Sequence, residues 1–236
     1  MAALRIYDYF ERMDEMMKKS FNPVPNSLKD EFLHKEVEFE GRLVENTART
    51  YHAEKLKHIS VSKFVSHGVL QSHNMTIFPD GNYDVPLFGT DIVIFEKMLV
   101  VYCDLTPYVK NEEIVKKYLD SMKPLHEKYK NLPDEMPRGR EWLEKISSGL
   151  GITVTGTNVD CVEDAFKGVT EYFNLFASYI NKATPVNEKR KAEIAEGRKK
   201  VIALFTEYDP GYGPMKKYFG KEWTDYYFHN VLFAGN

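Results

Sequence analysis

Between residues 34 and 104 apolar and polar residues alternate with a period of two, and after residue 110 the period lengthens to that of a helix. This switch constrains the fold most, because a two-residue period builds sheet faces and a 3.6-residue period builds helix faces. The stretch "HKEVEFEGRLVENTARTYHAEKLKHISVSKFV" (34–65) alternates at Val37, Phe39 and Leu43, and again at Leu56, His58 and Ser60, as consecutive antiparallel strands do. Residues 69–78 and 88–104 continue the pattern, with "PDGNYD" (79–84) as a turn cluster and Glu96-Lys97 near a hairpin bend.

The flanking segments are helical. Leu4, Tyr7, Phe10, Met13 and Met17 recur at helical spacing, and "NPVPNS" stops that helix. In "KNEEIVKKYLDSMKPLHEKYKN" (110–131) Ile114, Leu119, Met122 and Leu125 share a face, and Pro124 marks a kink or break. After the Pro/Gly-rich "LPDEMPRGR", "GLGITVTGTNV" reads as one more strand. Asp160, with Glu163 three residues on, reads as the N-cap of a helix apolar on more than one side and therefore sandwiched. A charged helix from 186 to about 207 and a last one, "KEWTDYYFHNVLF", follow. Strands first and helices later predict an α+β fold with helices on the faces of an antiparallel sheet, in one domain over 1–236.

The 43% hydrophobic and 28% charged composition is that of a globular chain, and the net charge of −3 gives no global attraction to nucleic acid. The basic run "EKRKAEIAEGRKK" (188–200) is a solvated helix face or a local anion patch. Aromatic residues reach 14%, which suits either aromatic core layers or a site for a large flat ligand. Cys103 and Cys161, the only cysteines, are too few for a disulfide framework and fit a reducing compartment. The N-terminus has the pattern of neither a signal nor a transit peptide, and no run reaches the roughly 18 apolar residues of a membrane span. Neither a dinucleotide nor a triphosphate glycine cradle is present, the seven histidines show no ligand spacing, and no nucleophile elbow occurs. No metal or bound organic cofactor is expected.

What remains is polar chemistry among apolar residues. Asp91 shares a strand face with Val93 and Phe95, where a carboxylate is costly unless it is hydrogen-bonded or protonated. Burial would raise its pKa and make it a proton donor; the alternative is a sheet-edge cap or an ion pair. Asn74 lies in the preceding strand, and Asp209 precedes Pro210 in "FTEYDPGYGPMKKYFG", a turn start or a second acid.

The stretches "NMTIFPDGNYDVPLFGTDIVIF", "VVYCDLTP" and "YDPGYGPMKKYFGKEWTDYYFHNVLF" resemble the ferredoxin-dependent bilin reductases in the order and spacing of Asn-x5-Pro, Leu-Phe-Gly-x-Asp, Asp-x-x-Pro, Asp-Pro and Phe-Gly-x-x-Trp. The resemblance runs over roughly 34–236, with 1–33 an N-terminal helix and connector. It implies a three-layer α/β/α sandwich with a central antiparallel sheet, and reduction of biliverdin IXα by single electrons from a 2Fe-2S ferredoxin without a bound cofactor. Asp91 then matches the central catalytic aspartate under the pyrrole nitrogens, and Asp209 the aspartate of the C-terminal loop. Asn74 stands where phycocyanobilin-forming members carry His and where dihydrobiliverdin-forming and phage phycoerythrobilin-forming members carry Asn; an amide orients the D-ring but cannot titrate. His73 should point to the opposite face.

The resemblance also places Phe88 beside the bilin, Thr155 where relatives often carry a propionate-binding Arg, and Ser60 where phycocyanobilin-type members carry Glu. With Thr155 in place of that Arg, Lys216 or Lys217 must supply the cation for the propionate, and the loop reads "DPGYG" without its usual Arg, which leaves its backbone freer. Lys216, Lys217 and Lys221 form the basic patch expected to dock acidic ferredoxin. The resulting expectation is a cytoplasmic, monomeric enzyme of a cyanobacterial or phage-infected cell that reduces biliverdin at the 15,16 bridge to 15,16-dihydrobiliverdin, with a downstream bilin reductase or acceptor as a further partner. The alternatives are a four-electron reduction to phycoerythrobilin and a non-catalytic bilin carrier.

Overall fold

The computed structural model describes residues 5–95, 98–135 and 141–234. Leu4, the Glu96-Lys97 bend and part of "LPDEMPRGR" lie outside them. The strands are β1 (Val24–Pro25), β2 (His34–Phe39), β3 (Arg42–Ala53), β4 (Leu56–Ser66), β5 (Leu70–Pro79), β6 (Leu87–Phe95), β7 (Met98–Thr106) and β8 (Ile152–Gly156). They form one sheet in the order β1-β3-β4-β5-β6-β7-β8, with β2 pairing beside β1 on β3, and every pairing is antiparallel. From β2 to β7 each strand pairs with the next in sequence, the meander that the uninterrupted two-residue period calls for.

Helices cover both faces, as the α+β sandwich expectation requires. On one side lie α1 (Arg5–Phe21), the pair α3 (Glu112–Ile114) and α4 (Asp120–Tyr129), and α6 (Val162–Lys182). On the other lie α2 (Asp30–Leu33), α5 (Glu141–Ile146), α7 (Glu188–Tyr208), α8 (Tyr212–Phe219) and α9 (Lys221–Tyr227), which runs into a π-helical turn (Phe228–Leu232). Two hydrophobic clusters fill the spaces between layers. One joins Phe10, Met13, Phe88, Ile92, Phe173 and Phe176; the other joins Phe64, Phe78, Leu87, Phe205, Trp223 and Phe228. Each fully buried Phe or Leu contributes roughly 1.5–3 kcal/mol of transfer free energy.

Several local expectations shift. A bulge between Leu56 and His58 puts Leu56 on the α6 side and His58 and Ser60 on the α7 side, so the three do not share a face. Leu43 is 42% exposed and Val44 is buried in its place, because the Glu40-Gly41 turn, with both residues at positive φ, resets the phase after Phe39. Pro124 stays inside α4, and the irregularity lies one turn earlier, in a π-helical turn (Val115–Leu119). Asn158, not Asp160, caps the start of the α6 region: its side chain accepts from the Asp160 N–H ahead of a 3-10 turn (Val159–Cys161). No helix among the described residues is long and apolar enough to cross a membrane.

Candidate active site

Alternation fixes which side chains reach the α7 face of the sheet. Across the middle of that face one row runs Ser62, Asn74, Asp91 and Tyr102, consecutive register partners on β4 to β7, and ends at Thr153 on β8. The next row runs Thr50, Ser60, Thr76, Gly89 and Asp104. A sheet face packed under helices would ordinarily be apolar, and these rows are almost wholly polar. A Cβ added to Gly89 would meet nothing within 4 Å, so the floor beside Asp91 is open.

Over this floor lies a cavity of about 280 Å³. Its roof is aromatic and comes from α5, the end of α7 and the C-terminal turn: Trp142, Phe205, Tyr208 and Phe233, followed by Asp209, Pro210 and Gly211. Trp142 stacks on Tyr208 at 6.2 Å and meets Phe205 edge-on at 5.9 Å, which holds α5 to α7. The middle of α7 is fixed to the sheet, since Arg198 donates to the Pro79 carbonyl at 2.6 Å and lies over the Tyr108 ring.

Both acids face this cavity. Asn74 donates from Nδ2 to Asp91 Oδ1 at 2.8 Å, and its own carbonyl accepts from Thr76 Oγ1 at 3.3 Å, so the amide is oriented with its N–H toward the carboxyl. Burial pushes the Asp91 pKa up to about 6, and the Asn74 bond holds it from rising further. Asp209 ends α7: its N–H reaches the Phe205 carbonyl at 3.0 Å, and its Oδ1 accepts from the Gly211 N–H at 2.7 Å in a tight turn. Burial, then repulsion from Asp91, push its pKa up to about 7, again against its hydrogen bond. The loop without its Arg therefore still fixes Asp209, through backbone contacts. A pair of neighbouring acids, both protonated at mildly acidic pH and one still about half so near neutrality, is a proton store in a water-poor pocket.

The structure brings together Asn74, Asp91 and Asp209 and leaves the other expected site residues elsewhere. Phe88 is three residues from Asp91 and so points to the opposite face, where its ring meets Phe173 edge-on at 5.6 Å. Ser60 faces the correct side but is buried outside the cavity, in the row opposite Thr76, and Ser62 is the register partner of Asn74. Thr155 ends the floor row of Ser72, Val93 and Val100 but lies outside the cavity lining, its hydroxyl donating to Asp134 Oδ1 at 2.6 Å. Lys216 and Lys217 are exposed on α8 and Lys221 is paired with Asp225 on α9; no Lys or Arg is among the described residues lining the cavity. His73 does turn to the opposite face, buried against Phe10, with its pKa lowered by burial to about 4. Sequence reading missed Tyr102, Trp142, Phe205, Tyr208 and Phe233. Tyr102 carried a legible signal, since it stands two residues before the aspartate of the Asp-x-x-Pro motif in an alternating strand.

Residues 10–234 match the family model described as ferredoxin-dependent bilin reductase, so the match takes in most of α1 as well. The phycoerythrobilin:ferredoxin oxidoreductase of Prochlorococcus marinus (strain MIT 9211) is 29% identical, with 94% of this chain and 91% of that protein covered. Its namesake from Gloeobacter violaceus is 25% identical over 98% of this chain and 96% of its own length. Among solved structures, tomato phytochromobilin synthase in complex with biliverdin superposes with a TM-score of 0.84 over 96% of this chain and 83% of its own, at 17% identity.

Proposed function

The chain belongs to the ferredoxin-dependent bilin reductases, and from that premise we propose that it reduces biliverdin IXα, with electrons delivered singly by a 2Fe-2S ferredoxin and protons by Asp91 and Asp209. The observation that carries this reading is the pairing of two carboxyl groups with raised pKa in one aromatic-roofed cavity. A one-electron-reduced open-chain tetrapyrrole gains basicity at its pyrrole nitrogens and bridge carbons, and each electron must be matched by a proton. Asp91 in its acid form gives that proton from the cavity floor. The Asn74 N–H then stabilises the carboxylate left behind, and because an amide does not titrate, Asn74 supplies no proton to the D-ring.

The first reduction is assigned to the 15,16 methine bridge, giving 15,16-dihydrobiliverdin from two electrons and two protons. The firm seating of Asp209 opposite Asp91 favours a second two-electron, two-proton step ending at phycoerythrobilin, the compound in the names of the curated relatives. The second reading stops at 15,16-dihydrobiliverdin, and it is favoured by the absence of a titratable group at Asn74. Ferredoxin docks on the face carrying Lys216, Lys217 and Lys221, all exposed.

Purified protein, biliverdin and a reduced-ferredoxin system, followed by chromatography of the pigments, test these steps. Phycoerythrobilin as the final pigment, with accumulation of 15,16-dihydrobiliverdin in Asp209→Asn, supports the four-electron course. Wild-type product ending at 15,16-dihydrobiliverdin selects the shorter one. A bound pigment that never changes under reduction would mean a carrier and overturn both.

A further inference from the structure

Donation leaves Asp91 as a carboxylate under an aromatic roof, and it must be reprotonated before it can act again. The structure offers a path on the neighbouring strand. Tyr102, Asp104 and Thr106 alternate along β7 onto the same sheet face as Asp91, and Tyr102 is the register partner of Asp91 itself. Tyr102 lines two cavities, the one over Asp91 and a second of about 340 Å³ at the β7–β8 edge of the sheet. The edge cavity has Asp104, His126, Lys130, Asp134 and Ser147 in its wall beside apolar side chains.

Asp104 is completely buried between the two. Its Oδ2 accepts from the Ser148 N–H at 2.8 Å and from Thr106 Oγ1 at 3.0 Å, and its Oδ1 accepts from the Ser148 hydroxyl. The loop that delivers Ser148 presses on this carboxyl so closely that a Cβ at Gly151 would lie 2.4 Å from the Cys103 carbonyl oxygen and 2.9 Å from Asp104 Oδ1. Burial raises the Asp104 pKa against all of these hydrogen bonds. The Thr106 hydroxyl is close enough to the Tyr102 hydroxyl to favour phenol ionisation against burial, yet the buried phenol oxygen makes no hydrogen bond of good geometry with any described residue. A buried hydroxyl with no fixed partner, close to two carboxyl groups and beside a second hydroxyl, is poised to pass protons rather than to hold the fold.

We propose that Asp104, Thr106 and Tyr102 form a proton relay that reloads Asp91 from water in the edge cavity. The Tyr102 hydroxyl gives its proton to the Asp91 carboxylate as it receives one from Thr106, whose hydroxyl turns to take the proton of Asp104. Asp104 is recharged by solvent at the edge cavity. One proton moves inward, no electron moves, and each relay group ends as it began. The inference rests on Asp91 being the donor, and the test separates the two ideas.

In rapid mixing of the biliverdin complex with reduced ferredoxin, wild type should protonate successive reduced pigments at one rate. Asp104→Asn and Thr106→Val should give a first protonation near the wild-type rate, from the proton already on Asp91, and later ones slower by about tenfold or more. Thr106→Ser should restore the uniform rate. The binding spectrum checks that each variant is folded, and Thr106→Val, which removes a single hydroxyl outside the bilin cavity, carries the test should Asp104→Asn not fold. Uniform wild-type rates in these variants, with Asp91→Asn inactive from the first proton, would overturn the relay and leave the donor standing. Wild-type turnover in Asp91→Asn would remove the donor itself.

Discussion

The two faces of the same sheet are built on opposite rules. Toward α6, Phe88, Ile92, Val101 and Val154 interdigitate with Phe173 and Phe176 in a dry, close-packed layer. Toward α7, the same strands present Asn74, Thr76, Asp91, Tyr102 and Asp104. Since one residue of register separates the two sets, the contrast cannot come from backbone environment. The α6 face supplies stability along its length, whereas the α7 face adds to its own hydrophobic cluster a set of buried acids that reduce stability, a cost that natural proteins tolerate where chemistry needs strained or desolvated groups.

Variants on the two faces should therefore fail in different ways. Asp91→Asn should lower turnover by roughly a hundredfold or more while leaving bilin binding in place, with a radical or unreduced pigment trapped in the spectrum. Phe173→Ala should cost about 3–5 kcal/mol and lower Tm by roughly 10 °C, with activity per folded molecule little changed. A calorimetric scan and a rate normalised to bound pigment separate these outcomes; loss of stability in Asp91→Asn or of chemistry in Phe173→Ala would erase the distinction.

The acids also set a pH dependence. Their pKa values rise on folding, from 3.8 to about 6 for Asp91 and about 7 for Asp209. Between the unfolded and folded values the native state holds more protons, so stability from these groups is greatest near pH 4, declines as pH rises, and the penalty is complete above about 7. Asp91→Asn should thus gain about 3 kcal/mol in denaturant unfolding at pH 8 and almost nothing near pH 4. The smallest effect belongs to the surface: Lys216→Glu with Lys217→Glu should raise the KM for ferredoxin a few-fold at low salt, a difference that added salt compresses.

The sheet and the order of the helices were legible because the two-residue period persists through β2 to β7, and a local pattern suffices to specify a meander. Phase was not, wherever a bulge or turn adds a residue, as at Leu56 and His58 and after Phe39. The face of Phe88 was open to simple parity with Asp91, and the family motif drew attention from it. The meeting of Asp209 with Asp91 follows from where α7 ends over the sheet, and nothing local in either segment encodes that. Tyr102 and Asp104 stood in a recognised motif, but the hydrogen bonds that hold Asp104 come in part from a loop more than forty residues away, at Ser148.

The proposed chemistry needs one sheet face that keeps carboxylic acids protonated close to neutral pH. Carbon-13 NMR of aspartate-labelled protein, titrated from pH 4 to pH 9 and assigned with Asp91→Asn and Asp209→Asn, measures this directly. Two carboxyl resonances should titrate together with midpoints near 6 and 7, and removing Asp91 should lower the Asp209 midpoint. If both titrate near pH 4, and neither responds to loss of the other, Asp91 and Asp209 are not the proton store and the proposed chemistry does not stand.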